Sequence, residues 1–68
     1  MSQLYRRALE QVRAEFEEPT WRAFWLTAIE DRAPVALAGE LGMTPAAIRQ
    51  AKSRVLRRLK REMGELLA

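Results

Sequence analysis

Neither cysteine nor histidine occurs in the 68 residues. The chain therefore forms no disulfide and no thiolate zinc site, and it lacks the side chain that most often carries protons near neutral pH or serves as a triad base. No metal site and no cofactor is expected. Long hydrophobic runs are missing too. Nothing approaches the roughly 18 apolar residues of a membrane span, and the opening residues MSQLYRR lack the apolar stretch of a signal peptide. The expectation is a cytoplasmic chain with no membrane partner. No segment alternates with period 2, the mark of a half-buried strand, and no internal repeat or low-complexity run appears.

Hydrophobic residues make up 49% of the chain, far too many for a disordered tail. A length well below the usual domain mode of about 100 to 150 residues leaves room for a single unit spanning residues 1–68. A domain under about 80 residues rarely gains more than roughly 3 to 5 kcal/mol from its core, so a deep substrate cavity would be hard to sustain. Acids gather at Glu15, Glu17 and Glu18 and again at Glu30 and Asp31, but no base, nucleophile or phosphate loop accompanies them. Turn and capping duty accounts for them. The expectation is a surface-binding module and not an enzyme.

Apolar residues recur at helical spacing throughout, which predicts an all-α fold of four helices. Tyr5, Leu9, Val12 and Phe16 form one stripe and predict a helix over residues 4–16. Pro19 suits the start of a second helix, over 19–30, with Trp21, Phe24, Trp25, Ala28 and Ile29 inward. Both tryptophans are assigned to the core, since so small a domain needs their area. Pro34 opens a short third helix, 34–41, through Val35, Leu37, Ala38 and Leu41, and Gly42 ends it. Its start is weak: Ala33 is a poor cap, and Gly39 lies inside it at a cost near 1 kcal/mol relative to Ala. Thr44 reads as the cap and Pro45 as the first residue of a long fourth helix over 45–63, with Ile48, Ala51, Val55, Leu59 and Met63 inward and Gly64 as its stop.

A short helix, a tight turn at Gly42-Met43-Thr44 and a longer helix make a helix-turn-helix. Its two helices cross closely, which asks for a small residue, a turning glycine and a branched apolar lock. Ala38, Gly42 and Ile48 supply them. Taken alone this pattern also fits a plain helical hairpin. Charge separates the two readings. Residues 1–33 carry five Arg against six acids, whereas residues 34–68 carry seven Lys and Arg against three acids. All seven of those cations, Arg49, Lys52, Arg54, Arg57, Arg58, Lys60 and Arg61, fall within 13 residues of the fourth helix with no acid between them. Arg54/Arg58 and Arg57/Arg61 are like-charged pairs at i, i+4, which destabilise a solvated helix by a few tenths of a kcal/mol. Such a face becomes favourable beside a polyanion, and on the helix after the turn it is the footprint of DNA binding.

A recognition helix enters the major groove by its N-terminal part. Ala46, Ala47, Arg49, Gln50 and Ser53 are therefore the candidates for base edges: Arg49 for guanine, Gln50 for adenine, an alanine for a thymine methyl. Lys52, Arg54, Arg57 and Arg58 are the candidates for phosphates, with Thr44 at the helix start as a further phosphate contact.

Trp21-x2-Phe24-Trp25, then Leu37-Ala38-x2-Leu41-Gly42-Met43-Thr44, then Ile48-x3-Lys52-Ser53-Arg54-Val55-Leu56-x2-Leu59 resembles region 4, the C-terminal helix-turn-helix domain, of bacterial sigma-70 family RNA polymerase sigma factors, especially the extracytoplasmic-function group. The likeness runs from about Leu4 to Leu67. It implies recognition of the promoter minus-35 element in double-stranded DNA through the last helix, docking on the β flap of core RNA polymerase, and control by an anti-sigma factor. For the flap it offers Leu4, Tyr5, Leu26, Leu56, Leu66 and Leu67 without choosing among them. Pro34, Ala36 and Gly39 depart from the better-capped third helix of many members. Nothing resembles region 2, so the chain is expected to be part of a larger factor or, alternatively, a stand-alone regulator. The rival reading is a protein-interaction module whose basic helix meets an acidic partner such as an anti-sigma factor.

Overall fold

The structure, a computed structural model, describes the backbone of residues 3–67 and the side-chain surroundings of residues 3–64. The chain is all-α, as its periodicity predicts, with no strand among the described residues. Helix α1 spans Gln3–Glu15, α2 spans Glu18–Phe24 and runs on through a π-helical turn at Trp25–Ile29, α3 spans Pro34–Leu41, and α4 spans Pro45–Leu67. No described helix is long and apolar enough to cross a membrane.

Helix α4 is the spine against which the other three pack, and it divides the core into two clusters. Ala8 and Val12 of α1, Trp21 and Phe24 of α2, and Val55 and Leu59 of α4 form the first. Ala23, Leu37, Ile48 and Ala51 form the second, beneath the turn. In α1 the buried stripe is displaced from the expected one. Ala8 and Val12 are fully buried, Leu9 and Phe16 pack at the edge, and Tyr5 is 48% exposed. The small Ala8 permits close approach, so a phenol ring in the adjoining turn is left outside.

The π turn revises α2 more deeply. Glu30 N–H donates to the Trp25 carbonyl five residues back, at 3.2 Å. The buried Thr27 hydroxyl sits 2.7 Å from the Ala23 carbonyl and 3.1 Å from that of Phe24, giving carbonyls at the mouth of the wider turn a donor. The extra residue per turn rotates the side chains beyond it. Thr27 faces inward, Ala28 is half-buried, and Ile29, expected in the core, is 51% exposed. The chain then reverses at Asp31, which adopts a left-handed φ of 56° that suits Asp better than most residues.

Gly42 ends α3 as predicted, in the left-handed conformation, and the Gly42 and Met43 N–H groups both donate to the Ala38 carbonyl. The start of α3 has no side-chain cap: Ala33 offers only its carbonyl, to Ala36 and Leu37. Leu37 alone reaches full burial from this short helix, and Val35 is 70% exposed. A two-pronged pair joins Arg32, just before α3, to Glu40 near its end at 3.2 and 3.1 Å. The Thr44 hydroxyl accepts the Ala47 N–H at 3.0 Å, the cap that opens α4. Gly64 does not stop α4. It lacks the positive φ of Gly42, and a glycine in helical conformation costs only about 1 kcal/mol, too little to end a helix already propagating.

Candidate nucleic-acid interface

At about 100° per residue, the buried Ile48, Ala51, Val55 and Leu59 mark one side of α4. Ala46, Arg49, Gln50, Ser53, Arg54, Arg57, Lys60 and Arg61 then fall on the opposite side, within an arc of roughly 140°, and each is exposed. In the leading turn after Gly42, Thr44 and Ala46 are exposed while Ile48 is buried against Ala23 and Leu37. Arg49, Gln50, Ser53, Arg54 and Arg57 together line one shallow depression on this side. Four of the five expected base-reading residues are thus exposed on or beside one surface. The fifth, Ala47, is half-buried on the flank, with its N–H committed to Thr44.

The expected phosphate contacts are distributed less evenly. Arg54 and Arg57 stand on the arc, and the Arg54 guanidinium carbon lies 5.8 Å from the centre of the Phe16 ring. Thr44 is exposed, and its hydroxyl, while accepting from Ala47, keeps its own proton to donate. Lys52 sits off the arc, half-buried next to the core side. Arg58 is engaged within the protein. Its Nε donates to Glu15 of α1 at 3.0 Å, and its Nη2 lies 3.0 Å from Glu62 one turn on. The bond to Glu15, then that to Glu62, raises the Arg58 pKa above the ordinary guanidinium value against a desolvation that lowers it.

The acids at the helix junctions have duties that their clustering did not reveal. Glu15 braces α1 to α4 through Arg58, and Glu18 meets Arg13 at 3.4 Å on the surface. Glu40 is held below the usual carboxylate range chiefly by its hydrogen bond from Arg32, whose own pKa that bond raises. The Arg58–Glu62 pair was visible at i, i+4 spacing. The Arg58–Glu15 pair spans 43 residues and had no local signal. Among the described residues no carboxylate pairs with Arg49, Arg54, Arg57 or Arg61. Among the described residues, the most exposed part of the basic face thus has no carboxylate to offset it.

A second concave surface lies between α1 and α2. Leu9, Trp21, Trp25 and Leu26 form its floor, with charged residues such as Arg13 and Glu30 on its rim. Of the residues offered for protein docking, Leu26 lines this groove, Leu56 packs against the first cluster, and Leu4 and Tyr5 are about half exposed on α1. The side chains of Leu66 and Leu67 lie outside the described residues. Comparison with protein-family models, curated proteins and solved structures finds no significant match to this chain.

Proposed function

We propose that this chain is a DNA-binding helix-turn-helix domain that works as region 4 of a sigma factor, reading the promoter minus-35 element in the cytoplasm and performing no catalysis of its own. One observation carries the reading. The first turns of α4 expose Arg49, Gln50 and Ser53 beside Arg54 and Arg57 on the side opposite the core, and no carboxylate among the described residues offsets those arginines. Guanidinium forks match guanine edges and phosphates, and an amide matches adenine. Ala46 at the centre of the arc keeps the tip slim enough for the backbone to approach the base pairs. The N–H groups and dipole at the start of α4 favour a phosphate beside Thr44.

The groove of Leu9, Trp25 and Leu26 favours a protein contact as well. In the sigma-factor reading its occupant is the β flap of core RNA polymerase, and an anti-sigma factor is the alternative. A module burying only about 600 to 1,000 Å² on DNA binds weakly when untethered, so the test belongs at low salt. Fluorescence anisotropy with a panel of duplexes should show log K falling with log salt at about −0.9 per phosphate contact, roughly −3 to −4 for four contacts. Arg49→Ala should erase most of the discrimination between duplex sequences, by about 1 to 3 kcal/mol at the base it reads. Arg57→Ala should weaken all duplexes alike. Affinity indifferent to salt, or the two variants behaving the other way round, would overturn the reading.

A further inference from the structure

The distal half of α4 carries a constellation that base reading leaves unused. Arg54, Arg57, Arg58 and Arg61 follow one another at i, i+3, i+4 and i+7 and line one shallow depression together with Phe16, the residue after α1. Four arginines thus border a single aromatic side chain, with the Arg54 guanidinium over its ring. We propose that this depression is a phosphate-binding site in which Arg54, Arg57 and Arg61 hold the anion, Phe16 forms the floor, and Arg58 is a positioning residue.

The roles separate by what each group already touches. Phe16 is half-buried against the first core cluster, so its ring is fixed by packing. Arg54 lies over that ring, which orients its guanidinium before any ligand arrives and lowers the entropy lost on binding. Arg58 meets Glu15 through Nε and Glu62 through Nη2, so its charge is compensated and its guanidinium is already oriented. What it contributes is a brace from α4 to the end of α1, where Phe16 begins the turn. Arg57 and Arg61 are exposed and meet no described carboxylate. Arg57 and Arg61, a like-charged pair with no described carboxylate to offset them, repel each other, and a phosphate between them outweighs that repulsion by attracting both. The chemistry favours phosphate over a generic anion, because a guanidinium offers a planar fork of donors matched to two phosphate oxygens.

Two sources could supply the group: a backbone phosphodiester of a duplex read by Arg49, or a free pyrophosphate-bearing molecule. We assign the phosphodiester. That choice of source rests on the DNA reading, whereas the anion site does not. An experiment that separates them follows the arginine Nε–H resonances by NMR at low salt, with inorganic pyrophosphate alone and then with duplex. Pyrophosphate should shift the signals of Arg54, Arg57 and Arg61 and leave that of Arg49 unmoved. Arg61→Gln, an exposed change that keeps a helix-forming stem, should abolish the shifts at Arg54 and Arg57. The same variant should reduce the salt slope for duplex by about 0.9 without reordering preference among sequences. Arg58→Ala should leave that slope intact and lower the melting temperature. If pyrophosphate produces the pattern but no duplex binds, the anion site stands, with a free phosphate compound as its ligand, and the DNA reading fails. If duplex binds and Arg61→Gln keeps the full slope, or if pyrophosphate shifts Arg49 as much as Arg61, this site is refuted and the DNA reading survives.

Discussion

The two clusters that share α4 are built from different material. Around Val55 and Leu59 the partners are aromatic: Trp21 and Phe24 are buried with ring centroids 5.0 Å apart, and Phe16 and Trp25 pack at the edge. Around Ile48 and Ala51 the partners are small or aliphatic, Ala23 and Leu37, with Leu41 and Met43 at the rim. Each aromatic side chain buries about 150 to 250 Å², so most of the hydrophobic stabilisation sits under the distal half of α4. The half proposed to enter the groove rests on the lighter cluster and on α3, whose start no side chain caps. Close packing of small residues is what the helix-turn-helix crossing requires. The heavier cluster compensates by holding the other end of the same rod.

Truncation should expose this division most strongly. Phe24→Ala removes a fully buried ring at a cost of about 3 to 5 kcal/mol, which is about all that a domain of this size has. It should abolish the cooperative thermal transition followed by circular dichroism. Leu37→Ala, also at a fully buried site, should cost about 2 to 5 kcal/mol, and the damage should be local. In hydrogen exchange the amides of α3 should lose protection before those of residues 55–61. Equal loss along the whole of α4 in the Leu37 variant would show that the two clusters act as one.

Thr44 sharpens the comparison because it belongs only to the lighter end. Its hydroxyl satisfies the Ala47 N–H at 3.0 Å. Thr44→Ala should cost about 1 kcal/mol, or roughly 4 to 8 °C in Tm for a domain of this size. A melting temperature unchanged in Thr44→Ala would mean that water caps the helix as well as the hydroxyl does.

The features legible in the residues themselves were those governed by local rules. Helical period, Pro34 and Pro45 at helix starts, Gly42 as a left-handed stop and Thr44 as a cap placed α3 and the turn as observed, because each acts within a few residues of itself. The outward arc of α4 was legible for the same reason: Ile48, Ala51, Val55 and Leu59 fix the inward side, and the helix repeat fixes everything else. The misses share the opposite character. The π turn depends on a hydroxyl at Thr27 answering carbonyls of its own helix, and no periodicity marks the residue at which a helix widens. Tyr5 and Ile29 are as apolar as their neighbours, and only tertiary packing decides that Ala8 and Thr27 go inside instead. Arg58 resembles its neighbouring arginines in sequence and differs from them only because Glu15, distant along the chain, reaches it. For the proposed interface, composition showed that the helix is basic. Which of its cations are already occupied is a property of the fold.

The smallest expected effect lies in α3 itself. Gly39 is exposed inside this helix with no positive φ, and a Cβ built on it meets nothing within 4 Å. No turn or close approach requires a glycine there, so the residue contributes backbone freedom to the unfolded chain and nothing to the folded one. Gly39→Ala should therefore stabilise by about 0.4 to 1 kcal/mol, raising Tm by a few degrees in a thermal melt, with hydrogen-exchange protection gained in α3 and little changed around Leu59. Because the added methyl has no neighbour to strain, a fall in Tm could not come from steric clash. It would mean that the folded ensemble uses flexibility in α3, and that the light end of the molecule is loose because the working state needs it so.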